Sequence, residues 1–160
     1  MNKLVSKATV AGALLLLAAA QAGATAEVTY LNPEKMTDIP RFEADRESME
    51  YLLNQHIDQL SEKLPAGQVL KLEFLDIDLA GDVFPKVPIR DVRVLRGMGD
   101  WPRLHFRYSV EQDGQVIKQG ERDLVNRQYM LNYTGLRNES FGHEKQMLDE
   151  WFKKDVLAGR

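Results

Sequence analysis

The residues whose types and spacing could do chemistry begin with Asp76, Asp78 and Asp82. Asp76 and Asp78 stand two apart in a β-prone run, so a strand would hold both carboxylates on one side, roughly 7 Å apart. With Asp82 in the loop that follows, they offer hard oxygen ligands to Ca²⁺ or Mg²⁺. Joined by a histidine brought near by folding, Asp76 and Asp78 would suit a metal-assisted hydrolase. The run from Asp76 to Asp82 imitates the opening of an EF-hand loop, but Ala80 and Val87 stand where a ligand and a bidentate glutamate are required. The competing expectation is the solvated face and turn of a sheet.

His56, His105 and His143 are far apart in the chain and show no zinc-type spacing. His56 falls on an apolar helical stripe and reads as a hydrogen-bonded, half-buried side chain. His105 alternates with arginines on a strand, and His143 opens the last helix. Asn138-Glu139-Ser140-Phe141-Gly142 resembles a nucleophile elbow only loosely, because the first glycine is absent. Ser140 is expected to be a helix N-cap. Gly97-Met98-Gly99 is followed by Pro102 where a third phosphate-binding glycine would stand, so it reads as a flexible loop. No catalytic or cofactor signature emerges, and no cofactor is expected.

The surface with the strongest binding character is the loop Gly97–Arg103 together with Arg103, His105 and Arg107 on one strand face, extended by Arg93 and Arg96. Trp101 beside Pro102 in a glycine-flanked loop is expected to be partly exposed, and Trp and Arg are favoured interface anchors. A cationic face on an acidic protein suits a carboxylate- or phosphate-bearing partner: an envelope protein or an anionic cell-wall component. The opposing expectation buries Trp101 and pairs the arginines with nearby acids.

These residues must be positioned by an ordered set of elements. Val28–Leu31 reads as a first strand. A helix from Asp45, a plausible N-cap, to about Leu64 carries Met49, Leu52, Leu53, Ile57, Leu60 and Leu64 at helical spacing. Pro65-Ala66-Gly67 ends it. Val69–Leu79 is a long strand whose inward parity changes near Phe74-Leu75, which predicts a bulge. Gly81–Pro88 reads as a loop, and Val92 and Val94 as a short strand. Leu104, Phe106, Tyr108 and Val110 alternate with polar residues, and Asp113-Gly114 predicts a type I′ hairpin into Gln115–Leu124. Tyr129–Tyr133 is either a short edge strand or a loop. A final helix from about Phe141 places Met147, Leu148, Trp151 and Phe152 on its apolar side. The order predicts an α+β domain: a mostly antiparallel sheet of about four to five strands with two amphipathic helices on one face. If the first two strands pair directly, they are parallel.

The first 26 residues carry a different message. Lys3 and Lys7 precede an apolar run from Ala8 to Ala20, and no acid occurs before Glu27. Ala22-Gly23-Ala24 and Ala24-Thr25-Ala26 both match the A-x-A pattern of a signal peptidase site. Residues 1–26 therefore read as a cleavable signal peptide, and the apolar run is shorter than the ~20 residues needed to span a bilayer. Residues 27–160 then form a single domain, long enough to fold without disulfides, consistent with the absence of cysteine. The whole chain has a net charge of −3. That balance argues against nucleic acid or anionic lipid as the main partner. A soluble periplasmic protein is expected, with no membrane span after cleavage.

Several segments, in order, resemble one family. They are Val28-Thr29-Tyr30-Leu31-Asn32-Pro33-Glu34-Lys35, Leu64-Pro65-Ala66-Gly67-Gln68 and Leu75-Asp76-Ile77-Asp78-Leu79-Ala80-Gly81. Arg96-Gly97, Asp100-Trp101-Pro102-Arg103 and Glu144-Lys145-Gln146-Met147-Leu148-Asp149-Glu150-Trp151-Phe152 continue the pattern. The chain resembles the proteobacterial family catalogued as domain of unknown function 3016. The resemblance implies a small exported protein of Gram-negative bacteria and transfers no functional residue. The expectation is a non-enzymatic binding or interaction module of the cell envelope, with the metal-assisted hydrolase as the alternative. A purely structural or stress-related envelope role leaves no mark by which the sequence could show it.

Overall fold

A computed structural model describes residues 23–84, 92–131 and 135–158. The predicted signal peptide lies almost wholly outside these residues. The chain folds as α+β, with strands β1 (Thr25–Tyr30), β2 (Gln68–Asp78), β3 (Asp82–Phe84), β4 (Val92–Val94), β5 (Arg103–Gln112) and β6 (Gln115–Val125). Helix α1 spans Glu43–Ser61, and α2 spans Gly142–Trp151 and continues as a π-helical turn, Phe152–Leu157. Four strands form a mixed sheet in the order β1-β2-β5-β6, and β3 and β4 form a separate two-stranded ribbon.

The pairing of β1 with β2 is parallel, as expected of strands joined through a helix, and the other pairings are antiparallel. The parity change predicted in β2 is a bulge: the register with β5 slips between Phe74 and Asp76. Before it Leu70, Leu72 and Phe74 point into the core; after it Ile77 does. Asp113 and Gly114 both adopt positive φ, at 52° and 76°, which is the backbone of a type I′ turn.

One apolar cluster joins the inner sheet face to both helices. Register sets an aromatic row across it. Tyr30 lies opposite Phe74, and Phe74 opposite Phe106. The rings are stacked at 5.1 Å for the first pair and edge-to-face at 5.6 Å for the second. Trp151 of α2 closes the row, 4.9 Å from Phe106 and 5.0 Å from Tyr108. Such pairs add roughly 0.5–1.5 kcal/mol each beyond area burial.

Four local expectations need correction. Asp45 is not the N-cap of α1, which begins at Glu43 after Phe42; Glu43 and Asp45 sit in the first turn, where the helix dipole favours negative charge. Leu52 is only half-buried, at the flank of the stripe, and lines a cavity. Ser140 does not cap α2. The cap position is Phe141, in a left-handed conformation with no side-chain cap bond, and its carbonyl accepts the Lys145 amide at 2.9 Å. The expected loop at Gly81–Pro88 contains β3, which pairs with β4; Pro85 and Pro88 lie outside the described residues. Of the stretch Tyr129–Tyr133, residues Tyr129–Leu131 form a turn with Tyr129 buried, and the rest lies outside the described residues.

Candidate functional site

The outer face of the sheet is built by the period-two alternation that sends Leu104, Phe106, Tyr108 and Val110 inward. Arg103, His105 and Arg107 therefore point outward from β5, as the sequence predicts. Register sets acids beside each of them. Asp78, Asp76 and Glu73 of β2 lie opposite on one side, and Asp123 and Glu121 of β6 flank the other. Arg103 makes a bidentate pair with Asp123, both contacts at 2.7 Å. Arg107 reaches Glu121 at 3.0 Å and Glu73 at 3.2 Å, and His105 Nε2 lies 2.8 Å from Glu121. The Arg103 pair holds the Asp123 carboxyl below its ordinary range, and His105 and Arg107 do the same for Glu121.

The face expected to be cationic is thus not cationic. Glu27, Glu73, Asp76, Asp78, Glu111, Glu121 and Asp123 share it with Lys71, Arg103 and Arg107. The two further arginines are also committed. Arg93 forks onto Asp38 at 2.6 and 3.0 Å and donates to the Gly81 carbonyl at 2.7 Å. Arg96 lies 3.4 Å from Asp82 and over the Phe84 ring. Periodicity showed which residues share a face, but not the acids set beside them by the hairpin partner β6 and by the more distant β2.

The three aspartates do not converge as metal ligands. Asp76 accepts the Thr37 amide and hydroxyl, both at 2.7 Å. Asp78 is raised by burial and then by the charges of Asp38 and Asp76, while Asp82 pairs with Arg96. The cross-strand partner of Asp76 is His105, yet that imidazole is engaged with Glu121. Among the described residues no three acids or histidines are placed to hold a metal ion. His56, expected to be half-buried, is buried between α1 and α2, its ring 3.0 Å from Asp149. Desolvation lowers its pKa despite that carboxylate. The His143 ring packs edge-on to Tyr129.

The Gly97–Arg103 loop has an internal scaffold that the sequence did not announce. Asp100 is only 8% exposed, and its carboxylate accepts the amides of Arg96 at 2.6 Å and Met98 at 2.8 Å. The Tyr129 hydroxyl also donates to it and accepts the Gly97 amide at 3.1 Å. Burial alone would raise the Asp100 carboxyl; these donors outweigh it and hold it low. Gly97 and Gly99 supply the positive φ values the loop needs. The result displays Met98, 85% exposed, beside Leu95 and Trp101, which are also exposed. Arg127 lies over the Trp101 ring. Gly97 approaches Met130, bringing the turn that carries exposed Leu131 against the same loop.

A concavity of about 500 Å³ lies between α1, the end of β2, the β3–β4 ribbon and the start of α2. Leu52, Leu79, Val83, Leu95 and Phe141 provide apolar wall, and Asp45, Glu139 and Glu144 provide carboxyls. Glu144 is buried and accepts the Ala80 amide at 2.7 Å. Its burial was not legible from the sequence. The first turns of α2 are buried on all sides, Glu144, Lys145 and Gln146 included, so the helix has no simple polar face there.

No helix among the described residues is long and apolar enough to cross a membrane. No curated protein and no solved structure matches the chain. A family model matches residues 24 to 154, nearly all of those described, and by it the chain belongs to the family described as protein of unknown function DUF3016.

Proposed function

We propose that this is an exported periplasmic protein that works as a non-enzymatic binding module, engaging an apolar patch on another envelope protein through the Leu95–Trp101 loop. The lysine-bearing, acid-free start of the chain and its A-x-A sites support export. The observation that carries the binding reading is the Asp100 scaffold. A buried carboxylate and a buried tyrosine hydroxyl hold a loop from which Leu95, Met98 and Trp101 project. Preorganisation of this kind lowers the entropy cost of binding, and Trp and Met are enriched at interface cores. Arg93, Arg96, Arg103 and Arg107 are paired with acids of the same chain, which favours a protein partner over an anionic cell-wall polymer.

Site-specific photocrosslinking in intact cells tests this. A photoreactive residue at Met98 is expected to give one discrete adduct. The same probe at Gln119, on the outer sheet face, is not, and Trp101→Ala is expected to remove the Met98 adduct. Absence of an adduct from position 98, or equal adducts from both positions, would overturn the proposal.

A further inference from the structure

Beyond the loop, we infer that the cavity between α1 and the start of α2 is a binding site for a small amphipathic amine, its ammonium group meeting Glu144 and its hydrocarbon lying on Leu52, Val83 and Phe141. The size supports this, since about 500 Å³ falls among the clefts that hold small ligands. The wall is apolar on several sides, which suits a hydrocarbon body.

Among the described residues, the polar part of the lining is rich in acceptors and short of available cations. Arg93 is the guanidinium among the described wall residues; it is bonded to Asp38 and to the Gly81 carbonyl, and its charge reaches Glu144 only through space. Lys145 is drawn to Glu139 at 3.1 Å. The His143 ring is packed against Tyr129. Asp45 adds a further carboxylate in the first turn of α1. An anionic ligand would enter against these acids.

Glu144 is the group that a cation would complete. Two backbone N–H groups, those of Ala80 and of its own residue, donate to its carboxyl. A carboxylate has about four acceptor positions, so the pair of amides does not exhaust it. No ion pair is formed by Glu144 among the described residues. A buried carboxylate with no ion pair of its own is costly, and an ammonium from a ligand would relieve that cost. Burial accordingly favours the neutral acid in the free protein, so amine affinity should rise as the pH rises and the carboxyl ionises.

Three probes sharing one body separate the ammonium from mere hydrocarbon: phenethylamine, 3-phenylpropanoate and 2-phenylethanol. Titrations of the purified protein would be followed by two-dimensional NMR at pH 7.5. Phenethylamine is expected to shift the Leu52, Val83 and Phe141 resonances saturably, and the other two are not. Glu144→Gln keeps an oxygen for the Ala80 amide and should weaken the amine by at least about tenfold. Leu52→Trp, which fills the cavity and replaces no acid, should abolish binding, and it serves alone if the Gln variant fails to fold. Equal binding of the carboxylate or alcohol, indifference to either variant, or no saturable shift up to about 10 mM, a dissociation constant of scarcely any binding energy, would overturn the inference. The Met98 crosslink is independent of all these outcomes.

Discussion

The carboxylate of Asp100 accepts the backbone amide of Met98 at 2.8 Å, so a buried acid two residues away holds the loop from which a methionine 85% exposed projects. A chain seeking only stability would be expected to turn such a side chain inward. Here hydrogen bonds to Arg96, Met98 and Tyr129 hold the loop instead. The arrangement gives the apolar loop a defined shape before any partner arrives.

Asp100→Ala leaves those donors without their acceptor and is expected to cost about 1–3 kcal/mol, read from urea unfolding. Amide exchange at Arg96 and Met98 should accelerate more than exchange in β5. The folded state holds the Asp100 carboxyl below its ordinary value. Its contribution is therefore complete above the unfolded value, about 3.9, and is lost as the pH falls through the lowered folded value. Wild-type loop exchange should rise in acid, whereas Asp100→Asn, which cannot ionise, should show no such step. An Ala variant with unchanged stability and loop exchange would remove the scaffold from the account.

Glu144 carries the opposite sign. Burial raises its carboxyl, against the opposing amides of Ala80 and its own backbone. A carboxyl raised on folding destabilises as it ionises, so its unfavourable contribution grows as the pH climbs from the unfolded value, about 4.3, through the higher folded one. In the absence of ligand, the Tm of Glu144→Gln should gain on that of wild type between pH 5 and pH 8. A constant difference across that range would show that the carboxyl does not titrate there.

Gly120 faces Tyr108 across β5 and β6. A Cβ at Gly120 would sit 2.9 Å from the tyrosine ring, which lies over the strand where no side chain competes. Gly120→Ala is expected to cost about 1–3 kcal/mol by overpacking, measured by chemical denaturation. Combined with Tyr108→Ala, the penalty should shrink, because the two changes share one contact. An additive pair would mean that the ring moves aside freely.

The local sequence carried the architecture well where one physical rule governed. Alternation in Leu104–Val110 set which side chains face inward, because a pleated strand sends successive residues to opposite faces. The shift of parity at Phe74-Leu75 foretold the bulge, and Asp113-Gly114 foretold the hairpin, since both depend on backbone preferences a few residues long. The α1 stripe was legible for the same reason, while its first residue was not: Glu43 and Asp45 both suit a first turn, and the choice rested with Phe42 and the chain before it.

What the tertiary structure decided was company. Arg103, His105 and Arg107 looked like a basic surface because the sequence displays one strand at a time; pairing set them between acids of β2 and β6. Tyr129, 29 residues beyond Asp100, reaches the Gly97 amide and that carboxylate only after the chain has folded back. Glu144 meets Ala80 across 64 residues. Charge, burial and hydrogen bonding at these places depend on contacts between distant segments. Local propensity determined the strands and helices, and their packing determined which polar groups were neutralised, which were buried and which apolar side chains remained exposed.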